Sequence, residues 1–589
     1  MKKLLIGNEA VARGLYEGGA ELVSSYPGTP STEITEFLAK YDDNELKSEW
    51  APNEKVAMEV AFGASLAGGR AVCCMKHVGL NVAADPLFTL SYTGVNGGLV
   101  VCVADDPAMH SSQNEQDSRH YAIAAKLPML EPADSAESYA FAKAAFDLSE
   151  QFDTPVLFRM CTRIAHSQSI VETGERVQAE RKPYVKNPEK YIMMPGNAKK
   201  RHPIVEERMQ KLAEYAETCA FNRAEYTGDG KIGIITSGTS YQYVREALGD
   251  SVAVLKIGMP HPLPKNLIRT FASKVETLYV IEELDPVIET EVKAMGIDCI
   301  GKELFSIIGE FSQNTIAKAF GKEITVGAMP DSAIPPRPPM MCAGCPHRGM
   351  YYTLAKNRVT VLGDIGCYTL GAVAPLCAVD STLCMGASVS GVHGFNRLLG
   401  ENSEGKTVAV IGDSTFMHSG VTGLINIAYN ASNSTVIILD NSITGMTGHQ
   451  HNPTTGHNIK GEPALAVDLE ALCRSIGINR VRVVDPYDLK ACDIAVKEEL
   501  AANEPSVIIS RRPCVLLKTV KAKPALSVDP DKCRSCRRCM TMGCPAISFK
   551  NLLSDGKQVG KAVVDATLCV GCGVCKQLCA FDAFVGGEV

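Results

Sequence analysis

Apolar residues in this chain come in continuous runs rather than in strict alternation with polar ones. Ala71–Met75 and Leu99–Ala104 are two such runs, and a helix-like stretch rich in Ala, Met, Val and Glu, Asn53–Ala67, precedes them. Apolar runs separated by helical stretches predict strands buried on both faces, as in parallel α/β sheets. A second unit is expected from Ile232–Thr236, Val252–Ile257 and Thr277–Glu282, and a third from Thr407–Ile411, Thr435–Asp440 and Val507–Ser510. Residues 172–203 are polar and basic with Pro183, Pro188 and Pro195, and read as a linker. Ala328 to Pro339 holds Pro330, Pro335, Pro336, Pro338 and Pro339, which reads as a stiff boundary. The 589 residues leave room for about four domains. The expected class is α/β, with three doubly wound parallel-sheet domains and a small C-terminal α+β domain.

Composition and charge narrow the function classes. No window approaches 18 uncharged apolar residues, so no membrane span is expected. The first apolar run, Leu4-Leu5-Ile6, is too short for a signal peptide, and a cytoplasmic location is expected. A net charge of −7 gives no electrostatic reason to expect nucleic acid.

Cysteine is the unusual component. Of 22 cysteines, eight fall between Cys533 and Cys579, which argues for metal ligation in a reducing compartment rather than for dispersed disulfides. The segment repeats with a period of 36: Ser527-Val528-Asp529 precedes Cys533 as Val563-Val564-Asp565 precedes Cys569. The second half reads Cys569-x2-Cys572-x2-Cys575-x3-Cys579, the first Cys533-x2-Cys536-x2-Cys539-x4-Cys544-Pro545. This is the two-cluster ferredoxin pattern, in which each tight loop supplies three thiolates and the remote cysteine ligates the other cubane. That rule assigns Cys533, Cys536, Cys539 and Cys579 to one [4Fe–4S] cluster, and Cys569, Cys572, Cys575 and Cys544 to the other. The first half has x4 in place of x3, and Ala580 stands where proline is usual. A pair of zinc sites is the alternative, but zinc typically takes two C-x2-C pairs per site, not triplets with a remote fourth. Arg534, Arg537 and Arg538, inside the first loop, are either solvated charge or a dock for an acidic electron carrier.

A second constellation lies in the third α/β unit. Val408–Ile411 leads into Gly412-Asp413-Ser414, and 28 residues after Asp413, Asn441 opens Asn441-Ser442-Ile443-Thr444-Gly445-Met446-Thr447-Gly448. This spacing resembles the metal–diphosphate motif of thiamine diphosphate enzymes, and a hard Mg²⁺ shared with a diphosphate wants oxygen ligands. Asp413 offers a carboxylate, Asn441 a side-chain oxygen and Ile443 a backbone carbonyl, all at carboxyl ends of strands. The stretch Gly400–Thr407 matches the P-loop formula, but a helix is expected before it and a strand after it, the reverse of a P-loop.

Together these motifs carry a resemblance. Ser25-Tyr26-Pro27-Gly28-Thr29-Pro30-Ser31, Asn53-Glu54, the Asp413–Asn441 pair and the C-terminal cysteine repeat resemble the thiamine-diphosphate-dependent 2-oxoacid:ferredoxin oxidoreductases. Met341-Cys342-Ala343-Gly344-Cys345-Pro346-His347-Arg348-Gly349 with Gly363-Asp364-Ile365-Gly366-Cys367-Tyr368 is similar to the large subunit of that family's indolepyruvate branch. The resemblance implies a pyrimidine-binding domain at 1–180, a transketolase C-terminal-like domain at 205–325, a diphosphate/Mg-binding domain at 340–520 and a two-cluster ferredoxin-like domain at 525–589. It implies that Glu54 activates the thiamine aminopyrimidine ring and that Thr29 contacts substrate. Gly412, Asp413, Ser414, Asn441, Ile443 and Thr444 would bind the cofactor, and Asp413, Asn441 and Ile443 its Mg²⁺. His110, Asn114 and Arg119 are candidates for the substrate carboxylate or members of a solvated loop. Cys342, Cys345, Cys367 and Cys514 have the order of a third-cluster set found in relatives, or are buried thiols. The implied activity is oxidative decarboxylation of aryl 2-oxoacids with coenzyme A, electrons leaving through [4Fe–4S] clusters to ferredoxin. A small β subunit is the implied partner, in an α2β2 heterotetramer. Other oxoacids (pyruvate or branched-chain), a non-oxidative thiamine decarboxylase and a pure electron-transfer subunit remain as alternatives.

Overall fold

The computed structural model describes residues 1–324, 327, 333–335, 338–554 and 557–586, with the side chains of 552–554 and 557–558 left aside. Pro330 and Pro336 of the expected boundary lie outside the described residues. The chain divides into two compact units, Met1–Pro330 and Asp331–Val589.

The first unit holds a two-stranded antiparallel pair, Lys2–Ile6 with Gln168–Glu172, and two larger sheets. One is a six-stranded, wholly parallel sheet in the order Lys47–Trp50, Leu22–Ser25, Ala71–Lys76, Leu99–Asp105, Val156–Cys161, Met129–Leu130. Ala71–Lys76 and Leu99–Asp105 are buried at every position, as continuous apolar runs require. Each face is covered by helices over its own core, one around Val11, Leu15 and Phe146, the other around Met58, Leu87 and Leu157. The other sheet has three parallel strands, Thr277–Ile281, Ile232–Ser237 and Ala253–Ile257, with Arg223–Glu225 antiparallel at the edge.

The linker read at 172–203 is corrected in its second half. Pro195–Ala216 is a 22-residue helix with Pro195 in its first turn and Pro203 in its interior. Internal proline and basic composition argued against a packed helix, yet Arg201, Val205, Arg208, Leu212 and Ala216 form its buried face. The arginines act as clamps: Arg201 Nε donates to the Tyr92 carbonyl at 2.7 Å and Arg208 to the carbonyls of Ser91 and Asp153. Ser91 and Tyr92 end the helix Ala84–Thr93, where unpaired carbonyls favour cations.

The second unit centres on a five-stranded parallel sheet, in the order Thr360–Leu362, Thr407–Gly412, Thr435–Asp440, Ser506–Arg511, Arg480–Val484. Separate cores cover its two faces. The stretch matching the P-loop formula lies between the helix Ala387–Leu399 and the strand Thr407–Gly412, the reverse of a P-loop. The cysteine-rich end is built of two antiparallel pairs: Ser527–Val528 with Phe584–Val585, and Ile547–Ser554 with Lys557–Val564. Among the described residues no helix is long and apolar enough to cross a membrane.

Candidate active site and cysteine clusters

Strand Thr407–Gly412 ends at Asp413, and its neighbour Thr435–Asp440 ends at Asn441, so register places both residues at the carboxyl edge of one sheet. Asp413 opens a helix that widens into a π turn at Phe416–Gly420, a distortion frequent at functional sites. The Asn441 side-chain amide reaches Asp413 Oδ1 at 3.3 Å and the Ile443 carbonyl at 2.7 Å and donates to both. Turned over, the same amide would present its oxygen beside those two, an oxygen set of the kind a hard cation takes as ligands. The side chains therefore fit the Mg²⁺ role. Burial and then the carboxylate of Asp440 push Asp413 up to about 7; a bound cation pulls the other way. Thr444 Oγ1 donates to Ser414 Oγ at 2.9 Å across the same cradle. Two residues not singled out in the sequence complete it: Asn452 Nδ2 and Thr454 Oγ1 approach Asp413 Oδ2 at 3.5 and 3.4 Å. They lie on the polar loop after Gly448, where no periodicity marks them.

Glu54 and Thr29 lie on the first unit's six-stranded sheet, again at its carboxyl edge. Asn53 caps the helix Glu54–Leu66, its side chain accepting from Val56 N at 2.9 Å, and this fixes Glu54 in the first turn. Glu54 is 4% exposed. Its carboxylate packs over Gly79, where a Cβ would come within 2.5 Å of Glu54 Oε1. Thr29 follows strand Leu22–Ser25 in a turn closed by Ser31 Oγ donating to the Gly28 carbonyl at 2.8 Å.

Arg119 is corrected as a candidate for the substrate carboxylate. It is 1% exposed and every donor is engaged: Nε with Asp117, Nη1 with Glu282, and Nη2 with Asp117 and the carbonyls of Glu283 and Asp285. Residues more than 160 positions away supply three of those partners, which sequence proximity does not reveal. His110 is exposed and faces Glu310 at 3.3 Å, and Asn114 is exposed.

The cysteines of the C-terminal repeat come together as two quartets. Burial raises the Cys539 thiol, and Cys533, Cys536 and Cys579 are its neighbouring thiols. All four line one cavity together with Arg534, Arg537 and Arg538. Burial likewise raises Cys575, whose foremost cysteine neighbours are Cys572, Cys544 and Cys569. Among the described residues no three His, Cys, Asp or Glu side chains are placed to hold a single metal ion.

Cys342, Cys345, Cys367 and Cys514 also converge. Burial pushes Cys345 up to about 12 and Cys367 up to about 11; Cys342 and Cys367 neighbour the former, Cys514 and Cys342 the latter. Cys514 N donates to the Asn441 carbonyl at 2.9 Å, which places this group beside the Asp413 cradle. Arg348 brackets the loops: it donates to the Met341 and Cys342 carbonyls at 2.7 and 3.0 Å, and to those of Met542 and Gly543 at 2.9 and 2.7 Å.

The comparisons agree with this architecture. Residues 364–510 match the family model for the thiamine pyrophosphate enzyme C-terminal TPP binding domain, and 13–227 that for the pyruvate flavodoxin/ferredoxin oxidoreductase thiamine-diphosphate-binding domain. Indolepyruvate oxidoreductase subunit IorA of Archaeoglobus fulgidus is 42% identical, covering 98% of this chain and 96% of its own. The subunit of that name from Pyrococcus horikoshii is 41% identical over 99% and 96%. A solved 2-oxoglutarate:ferredoxin oxidoreductase from Magnetococcus marinus aligns at 18% identity and TM-score 0.46, over 54% of this chain and 65% of that one, too distant a likeness to build on. On these matches the chain belongs to the indolepyruvate oxidoreductase subunit IorA family, among the thiamine-diphosphate-dependent 2-oxoacid:ferredoxin oxidoreductases.

Proposed function

We propose that this chain is the large subunit of an enzyme that oxidatively decarboxylates aryl 2-oxoacids, indolepyruvate among them. Coenzyme A takes the acyl group as a thioester, CO₂ leaves, and two electrons per turnover pass to ferredoxin. The observation that carries the reading is the convergence of the Asp413 carboxylate, the Asn441 amide and the Ile443 carbonyl, with Cys514 bonded to the backbone of Asn441: groups suited to a diphosphate-bound metal beside a gathering of thiols.

Thiamine diphosphate, when bound, supplies the nucleophilic carbon and electron sink for decarboxylation. The chain's own residues prepare that chemistry. Asp413, Asn441 and Ile443 hold Mg²⁺, with Gly412, Ser414 and Thr444 around the diphosphate. Glu54, held in a helix first turn, exchanges a hydrogen bond with the aminopyrimidine ring and so moves the proton that activates the cofactor. Thr29 contacts the substrate.

Cys533, Cys536, Cys539 and Cys579 hold one [4Fe–4S] cluster, and Cys569, Cys572, Cys575 and Cys544 a second. Cys342, Cys345, Cys367 and Cys514 hold a third, favoured here over the buried-thiol alternative by their convergence beside Asn441. Exposed Arg534, Arg537 and Arg538 around the first cluster suit an acidic carrier. A small β subunit completes an α2β2 complex.

The test is an anaerobic assay of the assembled complex. Viologen dye is expected to be reduced with indolepyruvate only when coenzyme A is present. Aldehyde as the sole product, or dye reduction independent of coenzyme A, contradicts the reading. Iron and acid-labile sulfide are expected at about twelve each per chain for three clusters, against about eight for two.

A further inference from the structure

Glu54, the Gly28-Thr29 turn and Lys76 follow three neighbouring strands of the six-stranded sheet, Lys47–Trp50, Leu22–Ser25 and Ala71–Lys76. Lys76 is 8% exposed. Its stem lies against the turn: a Cβ at Gly28 would come 3.0 Å from Lys76 Cβ. Its ammonium donates to the Ser111 carbonyl at 2.7 Å and reaches Ser111 Oγ at 3.5 Å. Among the described residues no carboxylate closes an ion pair with it. Asp106 is the acid that influences it, yet that carboxylate already accepts from Ser111 N at 2.8 Å, Ser112 Oγ at 2.5 Å and Thr162 Oγ1 at 2.7 Å.

An unpaired buried ammonium is costly, and several buried cations of this unit avoid it, although Arg208 meets only carbonyls. Lys256 is paired with Glu137, Arg119 with Asp117 and Glu282, and Arg159 with Asp105 and Glu131. Burial pulls Lys76 down to about 8, with Asp106 pulling the other way. The adjoining His77 is 1% exposed, and neither ring nitrogen makes a well-formed hydrogen bond, with Asn114 alongside as a side-chain partner. Polar groups left unsatisfied inside a protein call for an explanation, and here they flank Thr29 and Glu54.

We propose that Lys76 binds the carboxylate of the 2-oxoacid substrate, supplying the cation that the substrate's negative charge requires at this edge. The inference rests on the oxoacid reading above and deepens it, because neither the sequence motifs nor the family matches assign this residue. One ammonium with only the neutral acceptors of Ser111 already in place suits a monocarboxylate better than a phosphate, which is more often met by several cations or a helix N-terminus.

The experiment compares acids with their amides on the assembled complex by calorimetric titration. Indole-3-propionate and propionate lack the oxo group and are not turned over; indole-3-propionamide and propionamide lack the charge as well. Wild type is expected to bind at least one acid about tenfold or more tightly than its amide, the strength of a charge-assisted hydrogen bond. Lys76→Met is expected to erase that ratio, and Lys76→Arg to keep most of it. In turnover, Lys76→Met raises KM more than it lowers kcat, and cofactor content stays unchanged. Should Lys76→Met fail to assemble, Lys76→Gln serves in its place. A wild type that distinguishes neither acid from its amide, or a charge-removing variant that retains the ratio, overturns the proposal. The dye assay with indolepyruvate reports on the oxoacid reading separately, so a complex that turns over indolepyruvate yet shows no dependence on Lys76 sinks this inference alone.

Discussion

Two buried polar regions belong to the first unit, and they differ in whether their groups find partners. Arg119 and Arg159 meet Asp105, Asp117, Glu131 and Glu282 in a network where each guanidinium bridges at least two acids. The edge that carries Lys76 and His77 is buried to a similar depth, but its ammonium bonds to one neutral residue and its imidazole makes no well-formed hydrogen bond. Partner saturation separates architecture from chemistry here better than charge, burial or residue type does. The network joins the two larger sheets of the unit, since Asp117 and Arg119 follow a strand of one and Glu282 a strand of the other. Its groups have nothing left to offer a ligand, whereas the edge does.

That contrast yields variants with opposite signatures. The largest effect belongs to Glu54→Gln, which keeps shape and removes the proton-moving carboxylate. Turnover is expected to fall about 10²- to 10⁴-fold, with iron–sulfur absorbance and melting temperature near wild type. Arg119→Met is the converse. Breaking a buried network on one side leaves uncompensated charge and costs about 3–5 kcal/mol, read as a lowered denaturation midpoint, while KM for the oxoacid in the surviving fold is unchanged. A specific rise in KM with stability intact would return Arg119 to the substrate site. The smallest effect is at Glu283, which burial raises to about 7. A carboxyl raised in the folded state lends stability below its ordinary range and loses it as pH climbs through the folded value. Glu283→Gln is therefore expected to be more stable than wild type at pH 8, by on the order of 1–3 kcal/mol, with the difference shrinking toward about pH 4. Equal unfolding midpoints at both pH values would refute it.

The same contrast explains what was legible in the sequence. Strands buried on both faces announce themselves as apolar runs, so Thr407–Ile411 and Thr435–Asp440 stood within a residue of their observed ends. Asp413 and Asn441 were readable because each follows such a run, and the cysteine quartets because thiolate spacing is local. Features that depend on distant partners were not. Arg201 and Arg208 look like solvated charge until the carbonyls of Ser91, Tyr92 and Asp153 appear beneath them, which is why Pro195–Ala216 read as linker. Arg119 resembled a ligand for the same reason, its acidic partner Glu282 lying 163 residues away. Lys76 closes an apolar run, and only its missing counter-ion draws attention to it.

The central claim is that oxoacid decarboxylation in this chain delivers electrons to its own cysteine-bound clusters. Mixing the oxidised complex of this chain and its partner subunit with indolepyruvate under anaerobic conditions and freezing it for electron paramagnetic resonance tests that directly. The account predicts reduced [4Fe–4S] signals before any carrier is added. Release of CO₂ and aldehyde with the clusters still oxidised would contradict it.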